Sequence, residues 1–170
     1  MGFKTGQDVE KFAEWLKEEI QSMSRHVSTS GLISDEATGL CVWAVPHLVF
    51  LGQIWPKGDR SRKYWIISGL DLPTDHIEER LAATPRDAAR HFSMKWQLQS
   101  SKVADLGEQG DSGDSSSAAT DWQQIAGSLQ SNAEALYTLV ERDELWDAEK
   151  GSLETVLATI GQKGTGDTVQ

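Results

Sequence analysis

Residues Lys63–Glu79 read KYWIISGLDLPTDHIEE, and the fold turns on how this stretch is divided. The first half, Tyr64 to Gly69, alternates Tyr64 and Ile66 with Trp65 and Ile67. Both sets are apolar, so the strand is expected to be covered on both faces or to lie centrally in a sheet. The second half contains Pro73 between polar residues. It reads as a turn at Leu72–Asp75, with Asp71 or Thr74 capping a short helical segment, HIEERL. Glu78 and Glu79 then fall near the first turn of that segment, where the helix dipole favours carboxylates.

The pattern extends outward in both directions. Upstream, LCVWAV and LVFLGQIW are β-rich and separated by Pro46, which belongs at a strand end or an edge. The polar loop PKGDRSRK joins the second of these to Tyr64–Gly69 as a hairpin. Residues 7–23 place Val9, Phe12, Ala13, Leu16, Ile20 and Met23 at three- and four-residue spacing, the signature of an amphipathic helix. SRHVSTSGLISDEATG, which follows, reads as a turn-rich connection. Downstream, Thr84 caps a helix over 85–104 that opens on Pro85. Its inward stripe is Ala88, Ala89, Phe92, Trp96, Gln99 and Val103. A second long helix over 120–142 starts from a Thr120–Gln123 capping box. Its stripe runs Trp122, Ile125, Ala126, Leu129, Ala133, Leu136, Tyr137 and Val140. A short helix is expected over 152–160.

The fold class is therefore α+β. A small antiparallel sheet, with strands near 40–46, 48–55 and 63–69, packs with an N-terminal helix and C-terminal helices. Length and composition fit a single domain over 1–170, with 38% hydrophobic and 25% charged residues. The Gly/Ser/Asp segment 107–118 reads as a flexible linker, and 162–170 as a frayed tail.

Charge is placed unevenly. Residues 1–104 hold 13 acidic and 13 basic side chains, and residues 105–170 hold 13 acidic and 3 basic, so the whole net charge of −10 falls in the last third. That argues against nucleic acid or an anionic membrane as partner for this part. It suits a partner with a basic surface, because complementary potentials speed encounter. No apolar run is long enough to span a bilayer, and the N-terminal residues lack the apolar core of a secretory signal. A cytoplasmic location in a bacterial cell is expected.

Catalytic motifs are missing. There is no Gly-x-Ser-x-Gly elbow, and Ser68 reads as a structural hydroxyl. The glycines of 107–118 lack the Gly-Lys-Ser/Thr ending of a phosphate loop. The single cysteine, Cys41, sits in an apolar run and reads as a small buried hydrophobe. His26, His47, His76 and His91 have no metal-ligand spacing, so neither metal nor cofactor is expected. Asp71, Asp75 and His76 form the densest polar group and would be the residues of any acid–base chemistry, but the turn-and-helix reading accounts for them. Lys57, Arg60, Arg62 and Lys63 read as a solvated loop tip.

Three blocks, YWIISGLDLPTDHI, RDAARHFSMKWQLQ and ALYTLVERDELW, resemble in order the signature blocks of an uncharacterised proteobacterial family, domain of unknown function 4826. The resemblance covers Val49 to Trp146. It implies one structural unit and a bacterial source, and it implies no activity, ligand or catalytic residue.

The resulting expectation is a non-enzymatic protein that binds another protein. By build it is comparable to acidic immunity or antitoxin-type inhibitors that neutralise a basic toxin such as a nuclease. The contacts would come from Glu134, Tyr137, Glu141, Asp143, Glu144, Trp146 and Asp147, with the two aromatics as anchors. A small-ligand or regulatory module, with a pocket between sheet and helix around Phe92 and Trp96, is the alternative. A hydrolase using Asp71, Asp75 and His76 comes behind both.

Overall fold

The computed structural model describes residues 6–109 and 116–146. Asp147, the expected helix over 152–160, the expected tail over 162–170 and the middle of the 107–118 segment lie outside the described residues. The described residues cluster into two compact units, one holding residues 6–79 together with 143–146, the other those within Arg80–Arg142.

The first unit opens with α1 (Gly6–Ser30), followed by β1 (Ala37–Val45), β2 (Val49–Pro56), β3 (Tyr64–Gly69) and β4 (Leu72–Glu78). The strands form an antiparallel meander in the order β1-β2-β3-β4. The α+β class is as expected, and β3 is an interior strand whose Trp65, Ile66 and Ile67 are all buried. Pro46 follows the end of edge strand β1, as its missing N–H requires.

Two expectations are corrected here. Residues 72–78 form a strand, not a turn launching a helix, and only a 3-10 turn at Glu79–Leu81 remains helical. Cross-strand pairing decides it: Ile77 lies opposite Trp65, His76 opposite Ile66 and Asp75 opposite Ile67. Pro73 is tolerated because β4 is an edge. The turn before it is only Leu70 and Asp71, with Asp71 at φ 56°, a left-handed position that Asp accepts. Gly69 is required there, since a Cβ would collide with the Leu48 carbonyl oxygen.

The second correction is the length of α1. SRHVSTS continues the helix because its hydroxyls bond back to the preceding turn, Ser24 Oγ to the Ile20 carbonyl at 2.9 Å and Thr29 Oγ1 to that of Arg25 at 2.7 Å. Val27 is buried and holds this end down. Gly31, at φ 66°, then ends the helix as a left-handed C-terminal glycine does.

The core of this unit packs Phe12, Trp15, Leu16, Met23 and Val27 of α1 against Phe50, Ile54 and Ile66 of the sheet. Glu19 is buried beside them and accepts a hydrogen bond from Ser68, whose oxygen also accepts one from Thr74 at 3.3 Å. This polar chain ties α1 to β3 and β4.

The second unit is a helical hairpin of α2 (Pro85–Gln109) and α3 (Ser116–Val140). The Thr84 hydroxyl accepts from the Asp87 N–H at 3.1 Å, so the expected cap is present. The expected Thr120 cap is not, because α3 begins at Ser116 and places Thr120 within it. Gln99 does not join the α2 stripe: it is exposed, Val103 is half-buried, and Ser93 and Ser100 are buried in the seam instead. Ser93 Oγ donates to the Ala133 carbonyl at 2.8 Å and Ser100 Oγ to that of Ala126 at 2.7 Å. Arg86 Nε donates to the Val140 carbonyl at 2.9 Å. These contacts recur at heptad spacing on both helices, the geometry of a coiled-coil seam made close by small residues.

Candidate functional site

The inward residues of β1 are small. Ala37, Gly39 and Cys41 alternate onto the face that carries Ile54 and Gly52 of β2. Gly52 cannot be larger, since a Cβ would lie 2.8 Å from the Leu40 carbonyl oxygen and 3.0 Å from the Phe50 ring. α1 packs over β3 and β4. Beside it, this row of small residues leaves the sheet face hollow. The result is a cavity of about 790 Å³ within the first unit. Leu16, Ile20, Met23 and Val27 of α1 form one wall, and Cys41, Phe50, Gly52, Ile54 and Ile66 the floor. Ile33, Ser34 and Asp35 close one end, with Ser24, Ser28 and Thr38 as further polar groups. Ile20 and Leu40 line it while remaining 53% and 50% exposed.

Cys41 reports the dielectric of this hollow. Burial pushes its thiol from the ordinary 9.0 up to about 12, against a smaller opposing effect of its hydrogen bond with the Trp43 backbone. The thiol is therefore protonated at physiological pH and reacts with thiol reagents only slowly. The cavity has the size and apolar lining of a small-molecule site, with few polar groups to set orientation.

Phe92 and Trp96, around which the alternative pocket was expected, are both fully buried, with ring centroids 6.1 Å apart.

Asp71, Asp75 and His76 do not converge as a trio. Asp71 stays in the exposed β3–β4 turn, on the order of 15 Å from His76 at the rise of a strand. Asp75 and His76 instead meet His26 of α1. His26 Nε2 and His76 Nδ1 are 2.8 Å apart, a hydrogen bond in which one ring is neutral at the shared nitrogen. Asp75 Oδ1 accepts from the His76 backbone N–H at 2.8 Å. Tyr64 meets the His76 ring edge-on at 6.0 Å. His26 escaped sequence reasoning because the helix carrying it was expected to end at residue 23, and because a pair 50 positions apart has no local spacing.

The expected partner-binding residues separate by role. Trp146 is half-buried and stacks on Trp43 at 3.9 Å and 7°, while Trp43 Nε1 donates to the Leu145 carbonyl at 2.8 Å. It is an internal latch and not a free anchor. Asp143 and Glu144 are exposed in a 3-10 turn. Glu134, Tyr137 and Glu141 are exposed, Tyr137 at 50%, and share one side of α3 and its end. Trp15 of α1 is buried between Phe12 and His47. Of the basic loop, Arg60 and Lys63 lie over the Trp55 ring at 5.3 and 5.4 Å, and Lys57 pairs with Glu36 at 2.8 Å.

These features define an α+β protein with one helix laid on a four-stranded meander and an apolar hollow beside it. The chain belongs to the family described as Domain of unknown function (DUF4826), whose model matches residues 10–146. The match therefore takes in most of α1 and all of β1, beyond the Val49–Trp146 span of the resemblance. No curated protein and no solved structure matches the chain. Among the described residues, no helix is long and apolar enough to cross a membrane.

Proposed function

We propose that the protein is a non-enzymatic binding protein that takes a small, mainly apolar molecule into the cavity between α1 and the β1–β2 face. The observation that carries this reading is the 790 Å³ hollow floored by small residues. Pockets of roughly 300–1,000 Å³ bury most of the surface of a drug-sized ligand. Asp35 and the serine hydroxyls favour a hydroxyl or an amine on the ligand over a carboxylate, which Asp35 repels. Cys41 is the chain's single cysteine and stands on the floor, so it is a built-in reporter. A screen of apolar amines and alcohols is expected to yield compounds that raise the melting temperature and slow labelling of Cys41 by a thiol reagent. Ser24→Trp, placed from an exposed helix position, should abolish both effects. Hits that stabilise the Ser24→Trp variant equally, or that leave Cys41 labelling unchanged, would overturn the reading.

A second reading has support in α3. Glu134, Tyr137 and Glu141 set an exposed aromatic between two carboxylates, which suits a protein partner with a basic surface. An acidic immunity or antitoxin-type inhibitor of a cytoplasmic toxin is the specific form of this proposal. A partner captured from the native cells should lose affinity tenfold or more with Tyr137→Ala. It should bind with a slower on-rate to the Glu134→Lys/Glu141→Lys variant. Capture unaffected by both variants would remove α3 from consideration.

A further inference from the structure

We propose that His26, Asp75 and His76 form a binding site for a divalent transition-metal ion, with Zn²⁺ the ion their donor set fits best. The three residues come from two elements about fifty positions apart, α1 and β4. One donor atom from each, two imidazole nitrogens and a carboxylate oxygen, lie within 4.8 Å of one another. Two imidazoles and a carboxylate are the borderline donors that zinc and its first-row neighbours take, and that calcium and magnesium do not.

The geometry is close to what coordination needs. Ligand atoms at Zn–N of about 2.0–2.1 Å in a tetrahedron sit roughly 3.3 Å apart. The two histidine nitrogens are at 2.8 Å. An opening of about half an ångström, within reach of a small ring rotation, converts the hydrogen bond into a chelate. The shared proton stands where the ion would sit. When the metal enters, that proton leaves the shared position, since a coordinating imidazole nitrogen must be deprotonated.

The donors are also held by rigid elements, which is what a metal site demands. Met23 and Val27 are buried on either side of His26. Ile77 is buried opposite Trp65 and fixes β4 at His76. The His76 N–H holds the Asp75 carboxylate at the strand edge. All three residues are half-buried, so an ion can reach them from solvent. Three protein donors leave a fourth position for water or an added ligand.

The test uses the full chain and Zn²⁺ or Co²⁺ alone. Histidine NMR signals divide the four rings into two at the site and two controls, His47 and His91. One equivalent of Zn²⁺ is expected to shift His26 and His76 and leave His47 and His91 in place. Co²⁺ should give the visible absorption of a tetrahedral N/O site. His26→Ala and Asp75→Asn should each weaken Zn²⁺ binding at least about tenfold, while circular dichroism confirms that both fold. Equal shifts at all four histidines, or Zn²⁺ affinity unchanged in the His26→Ala/His76→Ala variant, would overturn the site. The wild-type titration decides the question even if a variant fails to fold.

Discussion

Cys41 and Glu19 show how single residues register their surroundings in this protein. The Cys41 thiol titrates at about 12 in the folded chain, against the ordinary 9.0. The folded state therefore keeps a proton that the unfolded chain gives up. Stability from this residue is intact below pH 9 and is lost as pH rises toward 12. Denaturation midpoints measured at pH 8, 9.5 and 11 should fall in that order, and Cys41→Ala should flatten the part of the decline due to the thiol. Glu19 tests the opposite kind of burial. Ser68→Ala leaves its buried carboxylate without that donor, a loss of about 1–3 kcal/mol. Replacing both, as Ser68→Ala/Glu19→Met, removes the orphaned acid along with its partner. Urea denaturation should find the double variant more stable than the single, a non-additivity that marks direct coupling. The sequence marked Cys41 as a small buried hydrophobe and Ser68 as a structural hydroxyl, but nothing in it paired Ser68 with Glu19, 49 positions away.

Among the elements, those with strong apolar alternation were legible and those built from polar or small residues were not. Phe50, Ile54, Trp65 and Ile66 announced β2 and β3. β4 was hidden because Pro73, Thr74, Asp75 and His76 carry no hydrophobic pattern, and only pairing with β3 makes them a strand. The last turns of α1 were hidden because Ser24, Thr29 and Ser30 are turn formers unless their hydroxyls bond the helix itself. This omission removed His26 from view and with it the cluster at Asp75 and His76. The α2–α3 seam was misread for a related reason. Its interdigitating positions include Ser93 and Ser100, which a hydrophobicity pattern places outside. Ser93→Leu should therefore be tolerated by propensity and rejected by packing. Its larger side chain meets the Ala133 backbone, and the cost is about 1–3 kcal/mol, seen as a lowered urea midpoint with unchanged helicity below it.

Across the whole chain, the sequence pointed to a partner through charge, whereas the fold draws attention to a hollow that charge does not reveal. The net charge of −10 is a property of residues 105–170, and Trp146, expected to join it as an anchor, is committed to Trp43. The cavity arises from what is missing on β1 and β2, since Ala37, Gly39, Cys41 and Gly52 supply almost no volume. Small residues in a strand read as weak strand signals, not as a floor. A cavity of this size also makes a quantitative demand. Its lining forgoes dispersion contacts that a ligand would restore, so binding must appear as stabilisation. At a free concentration one hundred times its Kd, a ligand adds about 2.7 kcal/mol. For a domain of 150–250 residues that corresponds to a rise in melting temperature of roughly 5–10 °C. The rise should grow with the logarithm of ligand concentration and vanish in Ser24→Trp. That variant, by filling part of the same hollow, should itself melt no lower than the parent protein.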